Sequence, residues 1–155
     1  MPPPTPRVFI IRHGETEWSL NGRHTGTSDI PLTANGEKRI IATGKALVGD
    51  DRLIAPKNLA QVFVSPRKRA RRSLELLMEG TRDWERKKKE MTVEERVAEW
   101  DYGEYEGKTS GEIGEERREK GEGKWDIWRD GCPGGEYVFP FLGYLGLNVI
   151  FCLSC

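Results

Sequence analysis

Four consecutive apolar residues, Val8-Phe-Ile-Ile11, constrain the fold of this 155-residue chain more than any other feature. A run without polar alternation predicts a strand buried on both faces, which calls for a sheet covered by helices. It follows a Pro-rich leader and gives way at residues 12–31 to a stretch punctuated by Gly14, Gly22 and Gly26, the chemistry of a loop. A second strand candidate, Gln61-Val-Phe-Val-Ser65, is ended by Pro66. Between the two, Ala34 to about Val48 repeats Ile40/Leu47 and Ile41/Val48 at helical spacing, with Gly44 weakening the pattern. Arg67–Glu79 sets Ala70, Leu74, Leu77 and Met78 on one stripe, an amphipathic helix. Residues 80–91, with Arg86-Lys-Lys-Lys89, read as a solvated connector. Thr92-Val-Glu-Glu95 fits a capping box and Arg96-Val-Ala-Glu99 suits a short third strand, and both readings stay open. Thr109 and Glu112 supply another Thr-x-x-Glu start. Trp125 and Trp128 read as packing residues, and Cys132-Pro-Gly-Gly135 as a loop. Strands alternating with helices predict an α/β fold with an at least partly parallel sheet.

Charge is balanced, with 25 basic and 25 acidic residues, so bulk charge favours neither a nucleic-acid coat nor an acidic tail. The basic run at 86–89 lacks the interleaved aromatics of a nucleic-acid surface, and no nucleic-acid partner is expected. All the charged residues lie within 1–136, whereas 137–155 carries none and is mostly apolar or aromatic. The leader has no apolar run of its own and is not a signal peptide. Cys132, Cys152 and Cys155 form no disulfide framework, and Cys152-Leu-Ser-Cys155 has no second pair to complete a zinc site. The expected setting is cytoplasmic, with reduced thiols.

The chemistry concentrates at the strand ends. Arg12 and His13 stand at the C-terminal end of the first strand, where open α/β sheets bind ligands. Imidazole is a nucleophile towards phosphorus, and the neighbouring guanidinium is a planar fork suited to phosphate oxygens. The glycine that follows, Gly14, lets backbone approach a ligand without a Cβ in the way. The second strand runs into a helix start carrying Arg67, Lys68, Arg69, Arg71 and Arg72 beside a terminus that favours anions. Glu99, at the end of the third strand candidate, is a candidate proton donor, a role that requires a raised pKa. Gly107-Lys108-Thr109 is no P-loop, because Tyr102 occupies the position of the required earlier glycine.

Arg12-His13-Gly14-Glu15-Thr16, Asn21-Gly22-Arg23, Thr25-Gly26, Leu32-Thr33-Ala34-Asn35-Gly36, Ser65-Pro66 with Arg69-Ala70, and Glu99-Trp100-Asp101-Tyr102-Gly103-Glu104-Tyr105-Glu106-Gly107 together resemble the histidine phosphatase superfamily, in its phosphoglycerate-mutase-like branch. Trp125 to Gly131 and Gly134-Gly135-Glu136 resemble its fungal sugar-bisphosphatase subgroup. The resemblance implies a phosphoglycerate-mutase-like sheet flanked by helices and a phosphomonoesterase acting on a small sugar phosphate or bisphosphate. It implies His13 as the residue that becomes phosphohistidine, Arg12 and Arg69 as holders of the phosphoryl oxygens, and Glu99 as the proton donor. Thr25, Gly26, Tyr102 and Lys108 would line the substrate side. Ser19 stands where mutases carry Asn, which leaves that loop's phosphate contact open. No metal and no cofactor are implied, and oligomeric state is left open.

The same resemblance implies a second histidine further along the chain, yet the only histidines are His13 and His24. Impaired turnover is therefore expected. The alternatives are a catalytically dead phosphate-binding fragment or a phosphoglycerate mutase-type phosphotransferase. The resemblance stops near residue 136, so a partial domain over 1–136, incomplete at its C-terminus, is expected. Its uncovered sheet edge would favour aggregation. Residues 137–155 are expected to be an apolar tail outside the native reading frame, or an atypical terminus. A membrane anchor there is opposed by Pro140, Gly143, Gly146, Asn148 and the lack of flanking positive charge.

Overall fold

A computed structural model describes residues 7–136 and, for the backbone, 149–154. The expectations for the leader, for 137–148 and for Cys155 lie outside the described residues. The chain order is β1 (Arg7–Arg12), α1 (Glu17–Leu20), α2 (Ala34–Leu47), β2 (Leu59–Val64), α3 (Lys68–Leu77), α4 (Trp84–Glu90), β3 (Thr92–Val93), α5 (Ser110–Glu119), α6 (Ile127–Asp130) and β4 (Val149–Ser154), with short 3₁₀ turns between. The sheet runs β1-β4-β2-β3. β2 and β3 are parallel, while β4 lies antiparallel to both β1 and β2 and fills the place between them. The α/β architecture agrees with the sequence reading.

Local signals account for most of the helices. Thr33 caps α2 by accepting from Gly36 N, and Thr109 with Glu112 forms the capping box of α5. The first residue of α3 is capped from a distance, since Lys68 N donates to Asp29 Oδ1 at 2.8 Å. Two expectations need correction. The connector at 80–91 contains α4, which turns Trp84 and Lys87 inward; the buried Lys87 ammonium donates to Leu59 O at 2.6 Å and pairs with Glu90 at 2.8 Å. The third strand is not at 96–99. β3 ends at Val93, a 3₁₀ turn occupies Glu95–Val97, and Glu99 follows it in an irregular segment.

Two apolar clusters form. The larger joins Leu59, Val62 and Val64 of β2 to Ile40 of α2 and to Leu74, Leu77 and Met78 of α3. Phe9 and Ile11 of β1 pack on it from the side. Their alternating neighbours Val8 and Ile10 are 53% and 54% exposed, so β1 forms as expected but is not buried on both faces. No helix among the described residues covers that face of the strand. The smaller cluster holds Trp100, Tyr105, Ile113 and Cys132, with Tyr102, Trp125 and Ile127 against it. α2 and α3 meet so closely that a Cβ on Gly44 would lie 2.3 Å from Leu77 O, which explains a glycine inside an otherwise good helix.

Candidate active site

The site is assembled where the end of β1 meets the loop after it and the start of α3. Gly14 N donates to Ser73 Oγ at 2.9 Å, and that hydroxyl donates to Arg69 O at 2.7 Å. This buried serine ties the backbone beside His13 to α3. A Cβ on Gly14 would meet Ile40 of α2 at 2.9 Å, so the absence of a side chain also serves helix packing here.

His13 is half-buried, and its Nδ1 lies 2.6 Å from Gly14 O. A carbonyl only accepts, so Nδ1 carries the proton and Nε2 presents its lone pair. Burial lowers the pKa to about 4, with Arg69 and Arg12 adding to the effect and the Gly14 carbonyl opposing it. The ring is neutral at pH 7 and competent as a nucleophile.

Arg69 is fully buried. Nη1 donates to Ser28 O at 2.8 Å, and Nη2 donates to Thr25 O at 2.9 Å and Gly26 O at 3.0 Å. Glu106 grips the same loop through its amides: Gly26 N reaches the carboxylate at 2.9 and 3.0 Å, and Ser28 N at 2.9 Å. Residues 25–28 are thus held on their carbonyls by a cation and on their amides by an anion. Gly26 has to lack a side chain, because a Cβ there would sit 2.1 Å from Trp100 O. Thr25 turns its hydroxyl back to Arg23 O at 3.2 Å.

Glu99 lies within the electrostatic reach of Arg69 and Arg12, and burial raises its pKa against the opposing pull of the Trp100 amide and the two arginines. Tyr102 stacks on His24 with ring centroids 4.8 Å apart, and burial raises its phenol pKa, with Glu99 adding to the effect. The structure therefore gathers Arg12, His13, Arg69, Glu99, Thr25, Gly26 and Tyr102 into one region. Lys108 is drawn elsewhere: its ammonium pairs with Glu116 at 2.5 Å and lies over the Tyr105 ring. Ser19, whose phosphate contact was left open, lies in α1 within the stretch expected to be all loop, and donates its hydroxyl to Thr16 O at 2.8 Å in a local capping box. A cavity of about 420 Å³ is lined by Arg12, His13, Ser19 and Arg39 of α2. Glu106 and Arg39 drew no attention as sequence; Glu106 lay inside a quoted motif, but its bonds to residues 26 and 28 cross a separation that no local pattern reports.

A neutral imidazole at a strand end, with an arginine next to it on the border of the same cavity, is an arrangement suited to an anionic ligand. The chain belongs to the histidine phosphatase superfamily (branch 1), which matches it over residues 8–139. It is 43% identical to sedoheptulose 1,7-bisphosphatase of Saccharomyces cerevisiae over 88% of this chain and 51% of that protein. It is 38% identical to an acid phosphatase of Mycobacterium tuberculosis over 85% of this chain and 56% of the relative. The solved structure of a Mycobacterium tuberculosis open reading frame superposes with a TM-score of 0.58 at 30% identity, covering 86% of this chain and 58% of the other. The chain spans about half the length of the curated relatives it matches. No helix among the described residues is long and apolar enough to cross a membrane.

Proposed function

We propose that this chain carries the phosphomonoesterase site of a small sugar-phosphate phosphatase, working through a phosphohistidine at His13. The observation that carries the reading is the neutral ring pinned through Nδ1 to the Gly14 carbonyl, which leaves Nε2 as an unprotonated base beside Arg12. In the first step Nε2 attacks phosphorus, the N–P bond forms and the ester P–O bond breaks. The leaving oxygen takes the proton of Glu99, whose pKa is raised by burial, the direction a proton donor requires. In the second step Glu99, now a carboxylate, accepts a proton from water as the water attacks phosphorus, and phosphate leaves as His13 is regenerated. Arg12 and Arg69 steady the phosphoryl oxygens, and Thr25, Gly26 and Tyr102 border the remainder of the substrate. A sugar bisphosphate is the favoured substrate class, because the yeast relative is named for one.

Incubation with a sugar bisphosphate, stopped in alkali, tests the reading. Wild type forms an acid-labile, base-stable phosphoenzyme and releases phosphate. His13→Ala forms none, and its turnover falls by about 10³-fold or more. Turnover by wild type is expected to lie below that of relatives with a second phosphoryl-contacting histidine, since one preorganised contact is worth about 2.7–4 kcal/mol. If wild type and His13→Ala are equally inactive, the catalytic reading is overturned. Phosphate binding that weakens in Arg69→Ala would then identify an anion-binding chain without turnover.

A further inference from the structure

The carbonyl that fixes the tautomer of His13 belongs to a glycine, the residue whose backbone turns most freely. Nδ1 lies 2.6 Å from Gly14 O, and nothing in a glycine itself keeps that oxygen facing the ring. The backbone beyond it is held by α2, since Thr33 N donates to Glu15 O at 2.9 Å and a Cβ on Gly36 would lie 2.4 Å from the same oxygen. The backbone before it is held by α3, through the 2.9 Å bond from Gly14 N to Ser73 Oγ. Ser73 is fully buried, so water does not compete for this hydroxyl. Its single proton goes to Arg69 O at 2.7 Å, which leaves lone pairs alone to meet Gly14 N. The acceptor is thus oriented by the helical turn that carries the buried Arg69 guanidinium.

Resting on the phosphatase reading, we infer that Ser73 is a positioning residue: its hydroxyl holds the peptide after His13 against α3, so that Gly14 O keeps the ring proton on Nδ1 and Nε2 stays open to attack phosphorus. Ser73 touches no reacting atom and acts through the ring. Without its hydroxyl a buried amide loses its partner, and Gly14 is free to swing the carbonyl away from Nδ1.

Proton–nitrogen NMR spectra of the full chain test this, because His13 and His24 are the only histidines and each ring reports its own tautomer. At pH 7 wild type is expected to show His13 in the Nδ1–H form. Ser73→Ala shifts it to a mixture of both tautomers, and so does Ser73→Cys, a weaker acceptor of similar shape that serves where the alanine variant does not fold. His24, whose Nε2 lies 3.2 Å from Ser110 Oγ, keeps its state in every variant. Phosphoenzyme formation from a sugar bisphosphate slows by about 10²-fold, the scale of a small misplacement of a reacting group. Ser73→Thr keeps the hydroxyl and restores the single tautomer and most of the rate. A folded Ser73→Ala or Ser73→Cys in which His13 stays in the Nδ1–H form, or in which His24 changes with it, overturns the assignment. A changed tautomer with an unchanged rate overturns it as well. Absence of any phosphoenzyme in wild type, with the tautomers as expected, overturns the phosphatase reading and leaves the hold of Ser73 on the ring standing.

Discussion

His13 shows how a single residue links stability to chemistry. Its ordinary pKa of 6.5 falls to about 4 on folding, so between these values the unfolded chain binds a proton that the native site refuses. The stability contributed by the neutral ring is complete above pH 6.5 and is lost as the pH falls through 4, on the order of 3 kcal/mol in all. Urea titrations from pH 7 to pH 4 should follow this slope in wild type and a shallower one in His13→Asn; identical slopes would count against a buried neutral ring. Arg69 was legible as a functional arginine from its motif, but its grip on three loop carbonyls was not, since those partners lie some forty residues earlier in the sequence. Arg69→Lys keeps the charge and loses the fork. It should destabilise the fold by about 2–4 kcal/mol, because each carbonyl left unpaired costs about 1–3 kcal/mol less whatever the ammonium recovers. A shift in the chemical denaturation midpoint reads this directly.

At the level of elements, α2, α3 and α5 announced themselves through apolar periodicity or a Thr cap, whereas α4 did not. Its inward face is Trp84 and Lys87, and a lysine buried along its stem with its ammonium on a carbonyl looks like a solvated charge in sequence. β3 was misplaced because two residues of parallel pairing carry no pattern, and the neighbouring Val97 and Ala98 drew the reading past Glu94. Gly44 is where propensity and packing disagree most openly. Gly44→Ala gains about 1 kcal/mol of helix propensity, yet the added methyl would have to occupy space 2.3 Å from Leu77 O. Net destabilisation of about 1–3 kcal/mol is expected from the forced separation of α2 and α3, measured as a lower thermal midpoint. An unchanged or raised midpoint would mean that the two helices are not packed this tightly.

Across the whole molecule, sequence indicated an α/β body and the strand-end location of the site, but not the order of the strands. The apolar runs that identify β1 and β2 say nothing of a β4 inserted between them from residues 149–154, because pairing partners remote in sequence leave no local trace. Nor did periodicity reveal that the apolar residues divide into two clusters. The larger is fastened to the loop at 25–28 by Arg69 of α3, and the smaller by Glu106 and the close backbone of Trp100. This loop has no regular secondary structure, yet it is where the two halves of the interior hold one another. Its amides at Gly26 and Ser28 should accordingly resist hydrogen exchange as strongly as the centre of β2, since releasing them means parting the clusters. An anion that settles at Arg12 and His13 would slow that parting and lengthen exchange lifetimes around Trp100 and Tyr105 as well as in α3. The site would then act as a cooperative joint through which occupancy at one end of the molecule is felt at the other.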